Sequence, residues 1–157
     1  MPVKAVWTEH GGDYPRLHWQ LDEGALDALG RFGTVRPLVR GEVVFDQGQE
    51  SEALYLVLEG GIAISRDGKQ LGIVAPHHTF GEMGLLLDLP RSARATALAD
   101  GRVLEMDRGD LDRMMGDDPV WAARLFKVLA ECLAEYLHRA SSARPSPTGR
   151  FHPRRRA

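Results

Sequence analysis

Between Thr34 and Asp107 no apolar run outlasts a short strand before Gly, Asp or Pro closes it. That rhythm leaves no room for a long helix and asks instead for many short strands. The runs are Val35–Val39, then Glu42–Phe45 before an Asp46-Gln47-Gly48 turn, then Ala53–Leu58 before Gly60-Gly61. Ile62–Arg66 and Lys69–Val74 are joined by Asp67-Gly68, and Arg94–Ala99 and Arg102–Met106 form a last pair around Asp100-Gly101. Asp-Gly favours positive φ at both central positions, which suits a two-residue hairpin turn. The pattern predicts an all-β sandwich or barrel.

Helical spacing brackets this region. Leu21, Ala25, Leu26, Leu29 and Phe32 predict a short amphipathic helix over Leu21–Phe32, ended by Gly30 and Gly33. Asp110–Met115 reads as one or two helical turns. Asp118-Pro119 opens a longer helix, because Asp caps well and Pro at the first helical position loses no hydrogen bond. That helix is predicted to reach Arg139. It carries two apolar seams, one of Trp121, Leu125, Val128 and Cys132, the other of Ala122, Phe126, Leu129, Leu133 and Leu137. A surface helix needs one stripe. Two imply two contacts, and a second copy of the same helix is the simplest second partner, giving a homodimer through residues 118–139.

The 157 residues suit one domain over 21–140, with a loosely structured lead-in over 1–20 and a tail over 141–157. The tail is rich in Pro, Ser and Arg, has Phe151 as its single bulky apolar residue, and is predicted to be disordered. It carries +5, against −2 for the whole chain, so residues 1–140 carry −7. An acidic body is a poor general ligand for nucleic acid. The single cysteine, Cys132, cannot form an internal disulfide. The opening MPVKAVWTEHGG lacks the apolar core of a signal peptide, and no run approaches membrane-spanning length. The expected compartment is the cytoplasm, with no membrane partner.

The chemistry gathers in TFGEMGLLLDLPRSARATA, Thr79–Ala97. Gly81 lets the backbone approach a ligand or adopt unusual φ. Glu82 supplies two acceptor oxygens, and Arg91 a planar fork of donors matched to a phosphate. Met83, Leu85 and Leu86 have the spacing of one helical turn packing inward, and Pro90 stops any helix before Arg91. Ser92 and Ala93 are small enough for their N–H groups to face an anion. A helix opening after Gly81 adds further unpaired N–H groups. The segment can therefore hold a molecule that is anionic at one end and hydroxyl-bearing at the other. A cyclic nucleotide fits, with its phosphate on Arg91, its ribose 2′-OH on Glu82, and its base on an apolar shelf made by nearby strands.

Phe80-Gly81-Glu82, the apolar run, and Pro90-Arg91-Ser92-Ala93 resemble the phosphate-binding cassette of cyclic-nucleotide-binding domains, the sensory domains of the catabolite-activator and protein-kinase-A-regulatory type. RPLVRGEVVFDQGQ, YLVLEGGIAI and LEMDRGDLDRMMGDDP resemble the family's early strands, its glycine-marked strand pair, and its exit strand and B-helix. Coverage is roughly residues 25–138. The resemblance implies a mainly β fold with flanking helices: a jelly-roll-like β-roll (double-stranded β-helix) with an N-terminal helix and C-terminal B and C helices. It implies that Glu82 binds the ribose 2′-OH, that Arg91 pairs with the exocyclic phosphate oxygens, and that Gly81, Gly84 and Ser92 supply backbone contacts. Leu85 would couple cassette movement to the helices. The candidate ligand-binding set is thus Gly81, Glu82, Met83, Gly84, Leu85, Arg91, Ser92 and Ala93. Gly84 stands where many members have Ala, which predicts a looser cassette. Arg94 stands where an uncharged residue is usual in kinase-type cassettes. Ser92, in place of the Thr that often accompanies cGMP preference, favours cAMP and leaves cGMP as the alternative ligand.

Other chemistries fit less well. His77, His78 and Glu82 invite comparison with metal-binding cupins, but adjacent strand residues face opposite sides, so His77 and His78 cannot both point into one barrel. His138 falls on the helix and His152 in the tail, and no metal or other cofactor is expected. Cys132 has no His on its helical face and reads as a packing residue, and no Ser-His-Asp set or phosphate-cradling P-loop is present, so an enzyme is not expected. Trp7, Trp19 and Trp121 read as packing residues, with Trp121 or Tyr136 as the candidate cap on a bound base. The basic tail is too short for a helix-turn-helix unit, which makes DNA an improbable partner. The expected protein is a stand-alone, cytoplasmic cyclic-nucleotide-binding regulator that signals to an unidentified downstream protein through its C-terminal helix. The alternative is a nucleotide-independent protein-interaction module of the same fold.

Overall fold

The computed structural model of the chain describes residues 23–142. The lead-in with Trp7 and Trp19, the tail from residue 143 with His152, and the side chains of Cys132 and Tyr136 lie outside the described residues. The elements run α1 (Glu23–Gly30), β1 (Thr34–Leu38), β2 (Val43–Phe45), β3 (Ala53–Glu59), β4 (Ile62–Arg66), β5 (Lys69–Val74), β6 (Thr79–Phe80), α2 (Glu82–Leu87), β7 (Arg94–Ala97), β8 (Gly101–Asp107), α3 (Arg108–Asp117) and α4 (Pro119–Ser142).

The strands form two antiparallel four-stranded sheets, in the orders β1-β8-β3-β6 and β2-β7-β4-β5. Of the two architectures the strand rhythm allowed, this is the sandwich. Alternation along β3 explains how one strand serves two cores. Ala53, Tyr55 and Val57 face the inter-sheet core with Ile62, Ile64, Phe80, Ala95 and Val103. Leu54 and Leu56 face the helix-side core with Leu104, Met106, Leu111, Met114, Leu125 and Leu129. β3 is therefore buried on both faces along most of its length.

The β4–β5 hairpin has the expected bounds, and Asp67 and Gly68 take φ of 51° and 76°. The expected last strand pair is corrected: β7 and β8 lie in different sheets, so the Asp100-Gly101 turn carries the chain across the sandwich. The reason is long-range pairing, since β7 lies between β2 and β4 while β8 lies between β1 and β3. Asp100 also accepts from the Arg40 N–H at 2.8 Å, which ties the crossing to the turn after β1.

α3 is longer than Asp110–Met115 because Asp107 and Asp110 form a reciprocal capping box, with bonds of 2.8 and 3.0 Å. At the start of α4, Asp118 Oδ1 accepts from the Trp121 N–H at 3.3 Å and Oδ2 accepts from Arg31 at 2.9 Å. α4 continues three residues past Arg139, into the start of the expected tail. Ala122, Leu125, Val128 and Leu129 are buried, whereas Val120 and Leu137 are 61% and 66% exposed. No helix among the described residues is long and apolar enough to cross a membrane.

Candidate functional site

The site is built where the β2–β3 loop clips the segment from α2 to β7. The Gly48 N–H donates to Arg91 O at 2.8 Å, the Arg91 N–H to Gln49 O at 2.7 Å, and Ser51 Oγ to Leu89 O at 2.6 Å. α2 opens after Gly81, whose φ is 78°, and closes on Asp88 in the left-handed region, with the Leu89 N–H on Gly84 O at 3.0 Å. With a left-handed residue at each end of α2, the chain brings Arg91 back beside Gly81. A Cβ on Gly81 would come within 2.7 Å of Arg91 Nη1 and 3.2 Å of the Phe45 ring, so only glycine fits between them.

Arg91 is 5% exposed, which is rare for an arginine. Its Nη1 donates to Gly81 O at 2.7 Å and its Nη2 donates to Ala53 O. The guanidinium carbon lies 4.0 Å from the centre of the Phe45 ring. Nε is sealed from solvent and makes no hydrogen bond. Burial pulls the Arg91 pKa down, opposed by Tyr55 and Glu82. Glu82 as a residue is only partly buried, yet its Oε2 is sealed and without a partner. Burial pushes the Glu82 carboxyl above the usual carboxylate range, against its own backbone N–H and the Arg91 charge. One buried donor and one buried acceptor are therefore left unmatched in the same cassette, whereas such groups are ordinarily hydrogen-bonded.

Of the eight predicted site residues, Gly81, Glu82 and Arg91 lie together. Leu85 is buried on the other side, in the helix-side core with Leu125 and Leu129. The expectation that Met83, Leu85 and Leu86 all pack inward is corrected. Only Leu85 is buried, Met83 is half-buried and Leu86 is 38% exposed, because a six-residue surface helix buries one side. Gly84 packs against Ser51 Oγ. Ser92 is exposed and its carbonyl accepts from Arg66 Nε at 2.8 Å, while Ala93 is buried in the inter-sheet core. Arg94 points outward, where it makes two 2.9 Å bonds to the Asp46 carboxylate. Trp121 packs against the helix-side core, beneath Arg124 at 4.6 Å.

Sequence reasoning missed Phe45, Tyr55, Ser51 and the Ala53 carbonyl. Phe45 carried the only signal, an aromatic residue immediately before the Asp46-Gln47-Gly48 turn. Among the described residues no three His, Cys, Asp or Glu side chains come together as metal ligands would. His77 takes φ of 70°, and burial pulls the His78 pKa down.

Comparison with known proteins gives a consistent result. A profile of the cyclic nucleotide-binding domain matches residues 35–118. The chain is 34% identical over 99 residues to a CRP-like cAMP-activated global transcriptional regulator of Mycobacterium tuberculosis, covering 60% of this chain and 44% of that protein. It is 31% identical to the Thermus thermophilus catabolite activator protein in its crystal structure, with a TM-score of 0.67 over 78% of this chain and 58% of that one. A structure described under a cyclic-GMP-dependent signalling pathway of bacterial phytopathogenesis is 28% identical, with a TM-score of 0.63 over 82% of this chain and all of that one. The chain spans less than half the length of the curated relatives it matches first. That a relative is a transcriptional regulator gives no support to the expectation that DNA is an improbable partner.

Proposed function

The chain belongs to the cyclic nucleotide-binding domain family, and on that premise we propose that the cassette binds a cyclic nucleotide, cAMP before cGMP, as a regulatory signal. The observation that carries this reading is the pair of sealed, partnerless polar atoms, Arg91 Nε and Glu82 Oε2. An anionic phosphate satisfies the first and a ribose hydroxyl the second, each as a charge-assisted hydrogen bond. The family resemblance gives these two side chains the same roles. The preference for cAMP rests on Ser92 in the cassette and on the cAMP-activated relative.

The output of this regulatory module, which we place in the cytoplasm, is α4. Leu85 shares a core with Leu125 and Leu129, so a shift of α2 changes what α4 packs against. Ligand then biases two packings of α4 by its difference in affinity for them. The exposed Val120 and Leu137 offer α4 further apolar area for a second copy of the chain or a partner protein.

Calorimetry with cAMP and cGMP on the wild type and Glu82→Gln tests the reading. Binding by the wild type, weakened about tenfold or more in the variant, supports it. Absence of binding to both nucleotides refutes it. One observation favours a second reading, a nucleotide-independent interaction module: two Arg91 nitrogens are already bonded to main-chain carbonyls, so the side chain has a structural role without ligand. Failure of cAMP, cGMP and cyclic dinucleotides to raise the melting temperature selects that reading.

A further inference from the structure

β2 is three residues long, and its burial runs exposed, buried, buried. Regular alternation would place Val43 and Phe45 on one face. The pairing with β7 slips instead, with Val43 opposite Thr96 but Phe45 opposite Ala95. Such a bulge bends a strand and re-aims a side chain. Here it turns Phe45 inward, to 8% exposure. Its ring centre lies 5.8 Å from Tyr55 and 5.9 Å from Phe80, which stack on each other at 5.0 Å. On this aromatic floor rests the Arg91 guanidinium, 4.0 Å above Phe45 and 5.8 Å from Tyr55.

The two carbonyl bonds fix Nη1 and Nη2 within the guanidinium plane. Two such bonds alone still allow the plane to tilt about the line joining them. The Phe45 face removes that freedom, and its attraction for the cation is strongest where water is excluded. Nη1 and Nη2 are thereby each committed to a carbonyl, and Nε keeps its N–H unmatched.

We propose that Phe45 is a positioning residue for anion binding. Its ring holds the plane of Arg91 so that the free N–H groups meet the phosphate of the nucleotide. The proposal rests on the reading that this cassette takes a cyclic nucleotide.

The test uses the full chain, calorimetry with cAMP and cGMP, and thermal melts. The variants are Phe45→Leu, Phe45→Met, Phe45→Tyr, and pentafluorophenylalanine at position 45, which keeps an aromatic ring but reverses the charge of its face. Affinity is expected to fall roughly 3- to 30-fold for Leu, Met and the fluorinated ring, and to stay within about twofold of wild type for Tyr. The fluorinated ring is somewhat larger than the native one, and it separates positioning from packing where its melting temperature stays at the wild-type value. Affinity equal to or tighter than wild type with the fluorinated ring overturns the proposal. So does a loss of affinity in all four variants that follows their melting temperatures rather than the aromatic face. Should Leu and Met fail to fold, Tyr and the fluorinated ring decide the matter alone. A wild type that binds neither nucleotide sinks the nucleotide reading and this proposal with it. A wild type that binds, beside variants that bind equally well, sinks only the role of Phe45.

Discussion

Ser51 stands where a side chain on Gly84 would have to go. A Cβ built on Gly84 falls on Ser51 Oγ, 3.0 Å from Ser51 Cβ and 3.1 Å from Leu89 O. Ser51 Oγ itself donates to Leu89 O, closing the turn that follows α2. The glycine that predicts a loose cassette is therefore filled from the β2–β3 loop. Gly→Ala in a helix ordinarily stabilises by about 1 kcal/mol. Here Gly84→Ala is expected to destabilise by about 1–3 kcal/mol through overpacking. Ser51→Gly in the same chain should recover part of that loss. A double-mutant cycle read by chemical denaturation checks this, with a coupling of about 1–2 kcal/mol expected. Additive effects would show that the two sites do not meet.

Arg91 is held by main-chain carbonyls and an aromatic face, so its removal leaves Gly81 O and Ala53 O without their donor. Arg91→Ala is expected to lower stability by about 2–3 kcal/mol as well as to weaken nucleotide binding. Arg91→Lys restores the charge but not the fork, and should remain weak in binding. Denaturant midpoints and calorimetry on both variants separate the effects. Wild-type stability in Arg91→Ala would show that the carbonyl contacts contribute nothing.

His77 occupies the turn before β6 with φ of 70°, a conformation that disfavours a side chain. Its N–H donates to Val57 O at 2.7 Å, so the backbone is pinned there by β3. The left-handed conformation costs about 1–2 kcal/mol for an L-residue, and glycine's extra chain entropy offsets about 0.5–1 of it. His77→Gly is thus expected to raise stability by up to about 1 kcal/mol and the melting temperature by about 2–4 °C. A lower melting temperature would show that the imidazole makes packing contacts worth more than the backbone relief.

What could be read from the sequence was what depends on near neighbours. Asp67-Gly68 sets its own hairpin through local φ, and Asp118-Pro119 sets the start of α4 through capping. Gly81, Glu82 and Arg91 could be assigned to one site because their spacing and residue types sit within one short segment. What could not be read depends on distant chain. β6 is two residues long and exists only by pairing with Tyr55 and Leu56. The partition of β7 and β8 between sheets is decided by strands remote in sequence. The partners of Arg91 lie in β3, in β2 and before α2, and the slip that turns Phe45 toward it leaves no mark on the composition of a three-residue strand. The direction of Arg94, by contrast, follows from alternation once Ala95 is placed inward, and Asp46 meets it outside.

Glu82 gives the site a dependence on pH. Burial raises its carboxyl above the ordinary range, so the folded chain holds that proton more tightly than the unfolded one. A raised folded-state pKa contributes stability that is full below the ordinary carboxylate value and is lost as pH rises through the raised one. The complex has the opposite demand, because a ribose hydroxyl donates best to the ionised carboxylate. Cyclic-nucleotide affinity is therefore expected to fall as acidification passes through the raised pKa, before the ordinary carboxylates titrate. Glu82→Gln cannot titrate, so it should weaken binding and flatten its pH profile. Affinity measured by calorimetry from neutral pH downward, on wild type and variant together, checks the assignment. Equal slopes in the two proteins would mean that another group titrates.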